Sequence, residues 1–140
     1  MESEQVSAVI KKISEDVKRI EPDMSTEMPV DSTPESIVKV KRMAAVASSN
    51  SMALAVNARA LSQYRKQREG EITLEHIMAG DLKTPKEEHL KAFFKTELSE
   101  IYAYEELCAR MLDLCSQRVR LAQTFLRNAS SEDFGGKLEF

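Results

Sequence analysis

The sequence has no tryptophan, two cysteines, four glycines and four prolines in 140 residues. So few turn formers exclude an all-β sandwich or barrel, which needs a turn signal about every ten residues. No apolar run approaches the ~18 residues of a membrane span. The opening stretch carries Glu2, Glu4, Glu15 and Asp16, which argues against a secretory signal. The chain is therefore expected to be cytoplasmic and to make no membrane contact. Cys108 and Cys115 stand seven residues apart in an apolar-periodic stretch. That is about 10 Å along a helix, too far to bridge within one chain, and nothing else points to an oxidising compartment.

What is present is charge, and it is sorted along the chain. The net value of −3 conceals −4 over 1–33, +5 over 34–70, −5 over 71–107, +3 over 108–128 and −2 over 129–140. Two basic blocks thus alternate with three acidic ones.

Val6, Ile10, Ile13, Val17 and Ile20 are spaced 4, 3, 4, 3, the seam of a short amphipathic helix. A stripe that narrow must dock elsewhere or meet a copy of itself, and these five residues are the predicted oligomer interface. Residues 21–33 hold Pro22, Pro29, four acids and no base, which reads as a linker. Thr33 as cap, Pro34 at the first helical position and Glu35 in the first turn mark the start of a second helix. No further Gly or Pro occurs until Gly70, so this helix is predicted to run about 36 residues, roughly 54 Å. Its seam of Ile37, Val40, Ala44, Ala47, Ser51, Leu54, Ala58 and Leu61 is small in the middle, which suits close packing against another helix.

Gly70–Lys83 is predicted as a connection, with a short helix from Thr73 to Ala79 stopped by Gly80. Thr84-Pro85-Lys86-Glu87 then forms a capping box. From Leu90 to Phe125 apolar residues step by threes and fours, predicting a third helix to about Asn128, some 44 residues and roughly 66 Å. A compact chain of this length would be about 37 Å across, so the helix cannot fit inside a globule. The predicted fold is all-α: an elongated antiparallel helical hairpin of two long helices over 34–128, a short N-terminal amphipathic helix and acidic linker over 1–33, and an acidic flexible tail over 129–140. Its apolar stripe exceeds what one partner helix covers, so it should assemble as a homo-oligomer.

Catalytic chemistry is poorly represented. His76 and His89 are the only histidines, and neither stands in a Glu-x-x-His spacing. The cysteines are not a Cys-x-x-Cys pair and lie on the apolar stripe, where a free thiol behaves as a small hydrophobe. There is no glycine-rich phosphate loop and no nucleophile elbow. No catalytic residue, metal ligand or cofactor is predicted, and an enzyme is not expected.

The basic residues are the candidate binding groups. Helix two carries Lys39, Lys41 and Arg42 near its start and Arg59, Arg65, Lys66 and Arg68 near its end. Helix three carries Arg110, Arg118, Arg120 and Arg127. In an antiparallel pair the end of helix two faces the Glu-rich start of helix three, where bases can pair with acids. The Lys39–Arg42 end instead faces Arg118–Arg127, where bases meet bases, a costly concentration unless an anion is bound or the charges splay into solvent. The predicted nucleic-acid-binding set is Arg59, Arg65, Lys66, Arg68, Arg118, Arg120 and Arg127. Sequence-specific duplex reading is disfavoured, since neither a short recognition helix nor a basic-region zipper is present.

Several words in this order form a pattern: Ala58-Arg59-Ala60-Leu61, Tyr64 through Gly70, Thr84-Pro85-Lys86 and Leu112-Asp113-Leu114-Cys115. Across roughly residues 34–128 the layout resembles the UvsY-type recombination mediators of T-even-like phages. The resemblance implies a small non-enzymatic helical protein that assembles into rings, binds single-stranded DNA and helps a RecA-like recombinase load onto DNA coated by a single-strand-binding protein. It also implies a DNA-binding lysine and arginine at the end of the first long helix. Arg59 matches the arginine, whereas Asn57 stands where the lysine is expected, with Arg65, Lys66 and Arg68 available to compensate. Two readings follow. One is an oligomeric single-stranded DNA accessory protein of the mediator type, in a host cytoplasm. The other is a coiled-coil structural or assembly adaptor of the phage-morphogenesis type, whose basic residues are solvated or meet an acidic protein.

Overall fold

The computed structural model describes residues 3–80 and 87–138, and nearly all of them are helical: α1 is Ser3–Met24, α2 is Pro34–Met78 and α3 is Glu87–Leu138. No strand occurs among the described residues. α2 starts as its capping residues predict, with the Thr33 hydroxyl accepting a hydrogen bond from the Ser36 amide at 3.2 Å and Pro34 opening the helix. The predicted capping box at residues 84–87 lies outside the residues whose side chains are described.

Each helix buries a seven-residue repeat. In α1 it is Val6, Ile13 and Ile20; in α2, Val40, Ala47, Leu54 and Leu61; in α3, Ile101, Cys108, Cys115, Ala122 and Ala129. A 3.5-residue period sustained over several heptads is the seam of a left-handed coiled coil, so the long helices meet along their length rather than at one crossing. Arg65 pairs with Glu105, while Arg68, later in α2, reaches Glu97, earlier in α3. The two helices therefore run in opposite directions. Small residues line the α3 repeat towards its end, where Cys115, Ala122 and Ala129 replace larger side chains and permit close approach.

All three helices outlast their predicted ends. α1 reaches Met24 through Pro22, four residues beyond the seam read from periodicity. Proline there forfeits one backbone bond, but Ile20 is fully buried, Met24 packs on the core and Asp23 accepts from Asn50, so packing holds the last turn. α2 passes straight through Gly70, whose helical cost of about 1 kcal/mol is offset by full burial of Ile72. It ends where Gly80 takes φ +79° and the Ala79 amide bonds the Glu75 carbonyl. α3 continues beyond Asn128 to Leu138, residues predicted as a tail, because extending an existing helix is far easier than nucleating one.

The greatest difference from the sequence reading concerns α1. Val6, Ile13, Val17 and Ile20 are buried and Ile10 half-buried in a core shared with Leu54, Leu61, Ile101, Cys108 and Met111. The stripe predicted as an oligomer interface is consumed within the chain, since α1 lies along the α2–α3 pair and that pair supplies the apolar surface it needs. A polar chain sets its register. Asp16 accepts from Arg19 at 2.7 Å and from the Asn57 amide at 2.8 Å. Arg19 Nε donates to Asn50 Oδ1 at 3.1 Å, and Asn50 Nδ2 donates to Asp23 at 3.2 Å. Buried polar pairs of this kind admit only one sliding position of a helix on its neighbour.

Candidate functional site

The seven predicted nucleic-acid-binding residues fall into three environments. Arg65 and Arg68 sit on the contact between α2 and α3 and are engaged by carboxylates. Arg65 donates to Glu69 at 2.8 Å and to Glu105 at 2.6 Å, and Tyr102 donates its hydroxyl to the same Glu69 at 3.0 Å. Arg68 reaches Glu71 and Glu75 at 3.0 Å each and Glu97 at 3.3 Å. The hydrogen bond to Glu69 raises the Arg65 pKa above its ordinary value, and those to Glu71 and Glu75 raise that of Arg68. The Tyr102 phenol is pushed up to about 12, first by burial and then by its bond to Glu69. Two guanidiniums shared among five carboxylates leave no surplus positive charge here, and His76 stacked on Phe93 at 3.7 Å helps close this end.

Arg59 and Lys66, seven residues apart, share the solvent face of α2 and are exposed. Neither has an ion pair among the described residues. Asn57, at the place where the resemblance expects a lysine, turns instead to α1 and donates to Asp16. Its role is helix docking, and a lysine there would put a longer, charged side chain against the part-buried Asp16–Arg19 pair.

The third environment is the opposite end of the bundle, where α1 stops. Beyond Met24 α1 no longer covers α2 and α3, and a notch of about 280 Å³ opens beside its end. Lys39, Arg42 and Arg118 contribute its positive charge, Asp23 and Thr26 its other polar groups, and Met24, Met43, Val46 and Ala47 its apolar wall. Lys39 and Arg42 are exposed, whereas Arg118 is half-buried with Nη2 fully enclosed and without a hydrogen-bond partner. None of the three makes an ion pair or side-chain hydrogen bond among the described residues. Asp23, the acid on the rim, is held by the Asn50 amide. Arg120 and Arg127, seven residues apart, lie exposed on another face of the same end of α3, Arg120 along an open groove beside Met52, Leu112 and Val119.

The antiparallel pairing expected from the sequence sets Lys39 and Arg42 opposite the Arg118–Arg127 end, but the predicted seven-residue set leaves them out. The part missed altogether is Asp23 with Met24, because residues 21–33 read as linker. The available signal was the seam itself, which continues from Ile20 to Met24 at a spacing of four.

The thiols are unsuited to chemistry. Both are free and buried; burial, with smaller contributions from Asp16 and Glu105, pushes Cys108 up to about 11, and burial followed by Asp23 raises Cys115. Among the described residues no group of three or more His, Cys, Asp or Glu is placed to hold a metal, and no helix is long and apolar enough to cross a membrane. Compared with protein-family models, curated proteins and solved structures, the chain matches none.

Proposed function

We propose that the protein is a non-enzymatic accessory protein that binds single-stranded DNA through the cationic end of an elongated antiparallel helical hairpin, and that it works as a homo-oligomer. The supporting observation is the asymmetry of charge compensation. Arg65 and Arg68 are neutralised by Glu69, Glu71, Glu75, Glu97 and Glu105, whereas Lys39, Arg42, Arg118, Arg120 and Arg127 have no ion-pair partner among the described residues. A concentration of uncompensated bases is the electrostatic footprint of a polyanion site, and repetition around a ring would multiply a modest affinity into avidity. On this reading Arg59 and Lys66 extend the track along α2, while Arg65 and Arg68 hold the scaffold. Help in loading a RecA-like recombinase on DNA coated by a single-strand-binding protein is the mediator role that this binding would serve, in a phage-infected cell's cytoplasm.

A structural or assembly adaptor is the second reading. It is favoured by the uncovered apolar side chains Met52 and Val56 on α2, each 70% exposed, and Leu121 on α3 at 56%.

Fluorescence anisotropy of a labelled oligo-dT at two salt concentrations separates the two. Binding at low salt that weakens steeply at high salt is expected, with Lys39→Ala/Arg42→Ala lowering affinity and reducing the salt slope. Absence of binding at low salt would refute the DNA reading and leave the adaptor. A solution molar mass equal to one chain would refute the oligomer.

A further inference from the structure

The notch at the end of α1 is more specific than a basic surface. Exposed lysines and arginines satisfy their donors with water, and a cation facing solvent needs no ligand. Arg118 differs: it is half-buried, its Nη2 is enclosed by protein without an acceptor, and the side chain lines the notch, so its charge is already partly stripped of water. Among the described residues Asp23 is the one acid that lines the notch, and none of the three bases pairs with it. Asp23 accepts from Asn50, and the flanking charged side chains, Lys39 and Arg42, are donors. Against three full positive charges stand one carboxylate and the C-terminal end of α1, equivalent to about half a negative charge, so roughly 1.5 positive charges remain.

We infer that this notch is a seat for a single phosphate group, its oxygens taken by Arg118, Lys39 and Arg42 and the flat or apolar part of its bearer resting on Met24, Met43 and Val46. Three donors from two helices suit a tetrahedral oxyanion with several acceptor oxygens, whereas the two oxygens of a planar carboxylate match the fork of a single guanidinium. The apolar wall distinguishes the site from one made for a bare ion, because a nucleoside has a face to lay on methionine and valine while an inorganic anion does not. The seat deepens the DNA-binding reading by assigning one backbone phosphate to a fixed position. It stands without that reading if the phosphate arrives on a free monoester.

The test uses the full chain. The guanidinium Nε–Hε and backbone amide signals are followed by NMR during titration with inorganic phosphate at constant ionic strength, then with thymidine monophosphate, then with an oligo-dT bearing no terminal phosphate. Saturable shifts at Arg118, Met43 and Val46 are expected, with affinity falling at least tenfold in Arg118→Met, which keeps the apolar stem, and unchanged in Lys12→Met, at an exposed α1 position outside the proposed site. Should Arg118→Met lose its fold, Lys39→Gln/Arg42→Gln, both at exposed positions, must produce the same weakening. A non-saturating response to phosphate, equal affinity in these variants, or saturation by a glutamate-rich peptide in place of phosphate would overturn the inference. Saturation by phosphate and the monophosphate but not by oligo-dT supports the seat while refuting the DNA reading. Oligo-dT binding that Arg118→Met leaves intact, with no phosphate saturation, does the reverse.

Discussion

Replacing Asp16 by alanine tests whether α1 is an integral third helix or an appendage. Asp16 is 6% exposed and its carboxylate accepts two hydrogen bonds, one from Arg19 within α1 and one from Asn57 across to α2. The side chain of Arg19 is 52% exposed, so its released guanidinium returns to water, and screening limits that loss to about 0.5 kcal/mol. The Asn57 bond is to a charged acceptor and part-buried, a contact of about 1.5–3 kcal/mol, and its loss leaves an amide donor without a partner. Relief from keeping a carboxylate out of water offsets part of this. The net expectation is a loss of about 2 kcal/mol in urea unfolding at fixed protein concentration. Hydrogen exchange should accelerate most over α1, because the bond that was lost fixes α1 to α2. In a double-mutant cycle with Asn57→Ala, the coupling energy should be about 1 kcal/mol. An Asp16→Ala protein within 0.5 kcal/mol of the parent, or a cycle with no coupling, would refute the claim that this polar chain sets the register of α1.

Two glycine substitutions should have opposite signs. Gly70 lies mid-helix with open space where a Cβ would stand, so Gly70→Ala should stabilise by about 0.5–1 kcal/mol. At Gly80 space is equally open but φ is +79°, so Gly80→Ala should cost about 1 kcal/mol, and thermal unfolding of the pair reads both. Alkaline pH should also destabilise. The folded pKa of Cys108 is raised to about 11 and that of Tyr102 to about 12, so the stability tied to their neutral forms is complete below about pH 9 and is lost as pH rises through those values. Unfolding curves between pH 8 and 11.5 should show that decline, less steep between pH 9 and 11 in Cys108→Ala, and a profile level to pH 11 would contradict the burial argument.

Much of the fold is legible in the residues because helical periodicity is a local signal. The start of α2 at Thr33-Pro34 and the seams through Val40, Ala47, Leu54 and Leu61 and through Ile101, Cys108 and Cys115 follow from spacing alone. Helix ends were less legible: whether a helix continues past Pro22 or Gly70 depends on the burial of Ile20 and Ile72 against other elements, which local propensity does not register. The same holds for the candidate site. Composition located two basic blocks but could not tell which would be neutralised.

By itself, then, the sequence determined an all-helical chain with heptad seams and segregated charge, since those properties depend on residues three, four and seven positions apart. Only the tertiary structure decided that the α1 stripe is covered by α2 and α3, that Asn57 serves helix docking, and that Arg65 and Arg68 are spent on glutamates while Arg118 lacks an acceptor. Each of these depends on the register between helices, and register is set by buried contacts between residues about 30 to 40 positions apart in the chain, beyond the range over which local periodicity carries information.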